Sequence, residues 1–334
     1  MACPVFPYAP HEMFHRVPCA PHEMFHRVPC APHEMMRAQP PAPVELRLSD
    51  LERIGDLGEG GFARVTKVRH RGTGAVFALK VAFDQDPADE EAEVLRRAAG
   101  SPHIVRCHAL LRGRGGELAS VLELMDAGSL FSVLRRRGKL GLPEPALAEV
   151  AAQCINGLAQ LHSRGVAHLD MKPSNLLANT RGEVKIADFN TSRILYGGAG
   201  ERLLVSITGG TSAYFSPERF ARNAHAEPHG TMASDVWGLG ITVLELFLGR
   251  FAVLPAVVKP SFEQLKQAIC HGEPPSVPED ADASTELRRF VAACLQKEPR
   301  RRATVAQLLG HPFITRRDVV VSRRALRELI VETL

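Results

Sequence analysis

The spacing of apolar and polar positions changes character along the chain. Up to about residue 44 no period is sustained. From Leu51 short runs alternate with glycine turns: LERIGDLG, a Gly-rich turn, ARVTKVRH, a second turn at Gly72 to Gly74, then AVFALKVAF. Runs of this length, joined by glycine and rich in β-branched residues, predict an antiparallel three-strand meander. A helix is expected over Asp89 to Ala99, followed by the strand-like IVRCHALL and SVLELM. From about Ser129 helical spacing dominates. Between Glu144 and His162, Leu147, Val150, Ala151, Cys154, Ile155, Leu158 and Leu161 recur every three or four residues, the apolar stripe of a core-facing helix. The pattern predicts an α+β, bilobal fold, with a small β-rich lobe before a larger helical one.

The aperiodic N-terminal segment repeats itself with a period of eleven: APHEMFHRVPC at Ala9 to Cys19, again at Ala20 to Cys30, then a decaying APHEMM. Prolines at 10, 18, 21, 29 and 32 interrupt any helix or ladder, and the unit is too short and too polar to stack as a solenoid. Residues 1–44 are therefore expected to form a disordered tail. His11-Glu12-Met13-Phe14-His15 and His22-Glu23-Met24-Phe25-His26 match the zinc-protease string HExxH. That motif works only on a stable helix, and the segment between prolines is far below the ~12–15 residues of even a marginal one. A solvated tail is expected, with adventitious binding of divalent metal as the minor alternative.

Composition narrows the picture. Apolar residues at 45% and charged residues at 23% fit a globular core rather than a fibre or a disordered chain. The net charge of +4 is too weak to argue for nucleic acid or a membrane surface. The longest apolar stretch, near Trp237 to Leu248, is interrupted by Glu245 and falls short of a bilayer span of ~20 residues. No transmembrane helix and no signal peptide are expected, which points to the cytosol or the nucleus. Seven cysteines without paired spacing point to reduced thiols.

Four elements carry candidate chemistry. Gly58-Glu59-Gly60-Gly61 with Val65 forms a Gly-rich turn, which alone is compatible with a plain hairpin. Lys80 lies in FALKV on the third strand. His168-Leu169-Asp170-Met171-Lys172-Pro173-Ser174-Asn175 is followed thirteen residues after Asn175 by Asp188-Phe189-Asn190. In this order and spacing they resemble the protein kinases, over about Leu51 to Ile314. The resemblance implies that Lys80 holds the α- and β-phosphates of ATP, fixed by Glu91, which register favours over its competitors Glu90 and Glu93. Asp170 would orient the accepting hydroxyl, Lys172 would face the γ-phosphate, and Asn175 with Asp188 would hold Mg2+. Glu218 in YFSPE would pair with Arg302, and Asp235-Val236-Trp237-Gly238 would open a buried helix.

Within that superfamily the strings SPHIVRCHALL, LELMDAGSL, HLDMKPSNLL, KIADFNTSRIL, GGTSAYFSPERF and GEPPSVPE are most similar to the MAP kinase kinases, notably those of plants. The similarity implies an ATP-dependent enzyme phosphorylating threonine and tyrosine of a MAP kinase, under an upstream MAP kinase kinase kinase. It implies a kinase domain over 51–314, with an N-lobe at 51–125 and a C-lobe at 126–314. The hinge meeting adenine would be Glu123 to Met125 behind Leu122, with apolar walls from Leu57, Val65, Ala78 and Leu176 or a neighbour. Residues 315–334 would form a helical tail that packs on the large lobe or serves a partner.

Several positions depart from the family. Ala63 stands for the third glycine of the loop. Leu169 replaces the arginine that grips phosphate on the activation segment, which removes a charge-assisted contact of about 1.5–3 kcal/mol. Asn190 replaces the glycine of the magnesium loop; asparagine tolerates positive φ, so the loop can form but switches less readily. The two phosphorylatable positions fall at Glu201 and Ile207, with Ser206 and Thr208 flanking the second. Atypical activation is expected. The docking motif is reduced to Leu46-Arg47-Leu48 with Arg37 upstream. An active kinase is the leading expectation, and a pseudokinase or scaffold binding cascade partners is the alternative.

Overall fold

The computed structural model describes residues 46–334 except 84, 114, 139, 196–204, 207–208, 221–224, 227 and 255–258. The HExxH repeats, Arg37, Glu201, Ile207 and Thr208 lie outside the described residues. Leu46–Leu334 is one compact unit.

A single 3-10 turn at Leu48–Asp50 leads into the expected meander: β1 (Leu51–Glu59), β2 (Ala63–His70) and β3 (Val76–Ala82). Helix α1 (Gln85–Ala98) follows, four residues longer at its start than the spacing suggested. Strands β4 (Cys107–Arg112) and β5 (Leu118–Glu123) complete an antiparallel sheet of order β1-β2-β3-β5-β4.

Beyond Glu123 helices dominate, joined by very short strands: β6 (Gly128–Ser129), α2 (Leu130–Arg136), α3 (Glu144–Ser163), β7 (Val166–Ala167), β8 (Leu176–Ala178), β9 (Val184–Ile186), β10 (Arg193–Ile194), β11 (Val205–Ser206) and β12 (His225–Ala226). Then come α4 (Pro228–Leu248), α5 (Phe262–Lys266), α6 (Thr285–Cys294), α7 (Val305–Leu309), α8 (Pro312–Thr315) and α9 (Val319–Glu332). The two- and three-residue strands escape sequence patterning because two residues have no period. They pair β7 with β10, and β8 with both β6 and β9, bracketing the segment between Ala167 and Arg193.

The core of the helical part is built on α3 and α4. The stripe from Leu147 to Leu161 is buried, and so are the flanking Ala146, Ala148, Glu149, Ala152 and Gln153, so α3 is enclosed on nearly all sides. Helix α4 corrects the sequence expectation: it begins at Pro228, seven residues before Asp235. His229–Leu248 is thus long and apolar enough by length and composition to cross a membrane. Most of it is buried inside the fold, the signature of a core helix apolar all round.

The C-terminal segment packs on the large lobe. Asp318 caps α9 by accepting from Val320 N (2.9 Å) and Val321 N (3.0 Å), and Leu326, Leu329 and Ile330 are buried. Glu149 of α3, 2% exposed, accepts from Arg317 Nε (3.2 Å) and Arg323 Nε (3.3 Å). Burial of Leu326, Leu329 and Ile330, with Glu149 buried beneath the two arginines, places this segment on its own lobe.

Candidate active site

Cross-strand register builds the upper face of a cleft. Gly58 pairs with Val65, Val65 with Lys80, and Lys80 with Ser120, while Ala78 pairs with Leu122. Partners in register share a face, so Gly58, Val65, Ala78 and Lys80 line one surface of the sheet. Leu57 at its edge is 48% exposed. Gly60 N donates to Ala63 O (3.0 Å), and Arg64 Nε pairs with Glu59 (2.7 Å) across an exposed hairpin. A Cβ at Gly58, Gly60 or Gly61 would meet no atom within 4 Å, and none of the three has positive φ. Neither packing nor backbone geometry within the chain requires these glycines. Ala63, in place of the third, is buried and its methyl is accommodated.

Lys80 is 7% exposed, and its Nζ lies 2.6 Å from Glu91 Oε1 and 2.9 Å from Asp188 Oδ1. Burial would lower its pKa, but the Asp188 and Glu91 carboxylates outweigh burial and raise it, so the ammonium stays charged. The competitors for Glu91 are otherwise engaged. Glu90 meets Arg193 of β10 at 3.3 Å, and Glu93 pairs with Arg96 and Arg97 on its own helix.

The hinge strand separates backbone from side chain. Glu123 pairs with Phe77, on the face opposite Ala78, and its carboxylate receives Lys185 Nζ (2.8 Å) and Arg106 N (2.6 Å). Met125 is buried with Val105 and Ala187, and Leu122 and Leu177 pack against that cluster. Leu176 belongs instead to the large-lobe core, fully buried. The cleft floor is therefore Leu177, the neighbour, because alternation on β8 turns Leu176 inward.

Below the cleft lies the segment between β7 and β8. Asp170 Oδ2 accepts from Lys172 Nζ (2.6 Å) and Asn175 Nδ2 (2.9 Å), and its Oδ1 accepts from Thr211 N (2.8 Å). Burial pushes the Asp170 carboxyl up, yet Lys172 outweighs it and holds the group below the usual range. Asn175 Nδ2 also donates to Asp170 O (2.8 Å), which aims the amide carbonyl away from Asp170. Lys172 Nζ donates as well to Thr211 Oγ1 (2.5 Å). Asp170, Lys172, Asn175, Asp188, Lys80 and Glu91, all expected from sequence, thus converge.

Two charged residues hold this loop in place. Asp235, completely buried at the side chain, accepts from His168 N (2.9 Å), Leu169 N (2.6 Å) and His162 Nε2 (2.8 Å). Burial would raise its pKa, but His162 and the loop amide hold it below the aspartate value. Arg219 donates from Nη1 to Leu169 O (2.6 Å) and from Nη2 to Gly209 O, with its guanidinium 3.9 Å from the Phe215 ring centre. Burial lowers its pKa to about 10, so it remains a cation at neutral pH. Both backbone groups of Leu169 are therefore gripped by buried ions. The grip is needed: Leu169 sits at φ +64°, a left-handed conformation costing about 1–2 kcal/mol for a residue with a Cβ. Gly210 closes the same contact at φ +96°, where a Cβ would come within 2.8 Å of Leu169 O.

His168 braces the loop from behind. Its Nε2 donates to Ala187 O (3.0 Å) and its Nδ1 accepts from Asp170 N (3.2 Å), so its partners fix the tautomer. The ring packs edge-on against Phe189 at 5.3 Å. The expected Glu218–Arg302 pair forms at 2.8 and 3.0 Å, with Arg302 also bonded to Ala233 O, Gln296 O and Lys297 O. Sequence reasoning missed Arg219 and the anchoring role of Asp235, because both act on backbone groups that leave no sequence signal.

The donor set suits magnesium and phosphate. Asn175 and Asp188 offer hard oxygens, and among the described residues no group of three or more His, Cys, Asp or Glu converges as a metal site. A magnesium held by these two would take its remaining ligands from phosphate and water. A cavity of about 270 Å³ between α3, α4 and α7, lined by Ala159, His162 and Val236 among others, lies away from these converging charges.

Comparison with known proteins agrees with this geometry. Residues 51–314 match the family described as protein kinase domain. The chain is 43% identical over 275 residues to mitogen-activated protein kinase kinase 7 of Arabidopsis thaliana, covering 80% of this chain and 85% of that one. It is 42% identical over 274 residues to mitogen-activated protein kinase kinase 9 of the same plant, covering 79% and 84%. With mitogen-activated protein kinase kinase 10 the identity is 39% over 277 residues, covering 81% and 86%.

Proposed function

Because this chain belongs to the protein kinase family, we propose that it acts as a MAP kinase kinase, moving the γ-phosphoryl group of ATP onto threonine and tyrosine hydroxyls of a MAP kinase. The observation that carries the proposal is the convergence of Lys80–Glu91, Asp170–Lys172–Asn175 and Asp188 on one cleft.

In the proposed reaction the substrate hydroxyl oxygen bonds to the γ-phosphorus while the bond from that phosphorus to the β-bridging oxygen breaks, releasing ADP. Phosphoryl transfer needs positioning and charge neutralisation more than covalent help. Asp170, with its lowered pKa, is a weak base; its task is to aim the hydroxyl and take the proton late, as the oxygen becomes acidic. Lys172 beside it carries positive charge toward the γ-phosphate, and Lys80, fixed by Glu91, meets the α- and β-phosphates. The three loop glycines leave room for those phosphates against the sheet. Asn175 and Asp188 would hold magnesium, which would supply further positive charge against the phosphates. Adenine would lie between Leu57, Val65 and Ala78 above and Leu177 below, met by the backbone of Glu123 to Met125.

The contacts around Leu169 support an atypical activation. Where a phosphate clamp would need an arginine at 169, Arg219 ties Leu169 O to Gly209 O, and Arg193 pairs with Glu90 of α1. With no arginine at 169 and with Arg219 and Arg193 already bonded to partners within the chain, an added phosphate finds a weaker clamp, so control by an upstream MAP kinase kinase kinase is weakened.

Purified protein given Mg-ATP and a kinase-dead MAP kinase, beside the Lys80→Met and Asp188→Ala variants, tests the first proposal. Transfer by the wild type and its loss in both variants is expected. Equal incorporation in all three would leave a scaffold as the better account. Mass spectrometry after treatment with an upstream kinase tests the second; phosphate on Ser206 or Thr208 with a large gain in activity would overturn it.

A further inference from the structure

The Lys80 ammonium carries three N–H donors and no acceptor. Three oxygens take them: Glu91 Oε1 at 2.6 Å, Asp188 Oδ1 at 2.9 Å and Asn190 Oδ1 at 3.0 Å. Glu91 and Asp188 belong to the machinery already described, but Asn190 does not. Because Lys80 can only donate, the amide must turn its carbonyl toward the ammonium, which fixes the orientation of the Asn190 side chain.

Nucleotide binding changes this arithmetic. If Asp188 turned toward a metal ion it would give up its bond to Lys80, which would free one donor. Glu91 keeps another, since a buried carboxylate facing an ammonium makes a strong charge-assisted bond. The α- and β-phosphate oxygens then need two donors, while Asn190 still holds one of them. Four acceptors compete for three protons. The neutral amide is the weakest acceptor of the four, so either it is displaced or one phosphate contact is lost.

We propose that Asn190 is a positioning residue acting through Lys80: it holds the third proton of the ammonium and competes for it with the phosphates of an incoming nucleotide. The chain therefore binds phosphorylated nucleotides more weakly than it would with a residue lacking a side-chain acceptor at 190. Adenosine, which has no phosphate, is indifferent to the competition. The inference rests on the nucleotide-binding reading of the cleft.

The test is a titration of the full-length wild type, Asn190→Ala and Asn190→Gly with adenosine, ADP and Mg-ATP, read by calorimetry. Both variants are expected to lower Kd for ADP and Mg-ATP about tenfold, equivalent to about 1.4 kcal/mol, with adenosine unchanged. Unchanged ATP affinity would overturn the inference. So would equal tightening for adenosine, which marks a reshaped cleft, or tightening in the glycine variant alone, which marks backbone freedom. If the wild type binds none of the three, the nucleotide reading itself is in trouble. Variants that also bind none then sink both ideas, whereas variants that gain ATP but not adenosine binding uphold this one.

Discussion

Replacing Asp235 by asparagine changes charge without changing shape, and the structure says what that costs. The two carboxylate oxygens serve different donors: Leu169 N on Oδ1 at 2.6 Å, and His168 N with His162 Nε2 on Oδ2 at 2.9 and 2.8 Å. An amide has one acceptor oxygen. Whichever way it turns, its NH2 group faces a backbone N–H that has no alternative inside the core. One orphaned buried donor costs about 1–3 kcal/mol, and the remaining bonds fall from charge-assisted to neutral strength. A total loss of about 3–5 kcal/mol follows, as for other broken buried ionic contacts. With an m-value of about 3 kcal/mol/M or more for a chain of this size, the urea midpoint should fall by about 1 M. Because the same carboxylate holds Leu169 in its left-handed conformation, kcat should fall as well, with substrate KM less affected. A midpoint within about 0.3 M of wild type would refute the anchoring role, since even one orphaned donor costs at least ~1 kcal/mol.

Further expectations come from the same geometry. Asp235 has a folded-state pKa below the ordinary 3.8, so its contribution is present above that value and lost as pH falls through the lower folded value; acid unfolding of D235N should lack this component below about pH 4. Gly60→Ala should leave the unfolding midpoint unchanged or slightly raised, because the added methyl meets nothing, while KM for ATP rises several-fold; an unchanged KM would argue against phosphates beside this loop. Arg302→Ala should destabilise by about 3–5 kcal/mol and by more than Glu218→Gln, since Arg302 also serves three carbonyls; calorimetric unfolding gives the order. Deleting residues 316–334 should lower the thermal midpoint and increase binding of a hydrophobic dye, because Leu326, Leu329 and Ile330 leave α3 uncovered.

Where a side chain's role is set by spacing along one element, the sequence was readable. The three-strand register puts Lys80 on the face of Gly58 and Val65, and helical register singles out Glu91 from Glu90 and Glu93. The loop from His168 to Asn175 compresses its chemistry into eight residues. What escaped was the work done on the backbone. Arg219 binds two carbonyls, and no pattern of residue types marks a carbonyl as an acceptor. Asn190 was legible as a departure, but its contact with Lys80 depends on how two lobes close over 110 residues of chain. The choice between Leu176 and Leu177 turned on the parity of a three-residue strand. The final helix has the same amphipathic spacing whether it covers its own chain or another, so only the burial of Leu326, Leu329 and Ile330 against the lobe distinguishes the two.

That final helix has a consequence for synthesis. It covers α3, yet about 160 residues separate the end of α3 at Ser163 from α9 at Val319–Glu332. At the ~5–20 residues per second of translation, the covering segment emerges on the order of ten seconds after the surface it covers. Until then Glu149 waits without Arg317 and Arg323, and the apolar surface of the central helix stands open to other nascent chains and to chaperones. A chain truncated before residue 316 should fold to a kinase-shaped but sticky species, so residues 316–334 act as a seal laid over a surface that is already built.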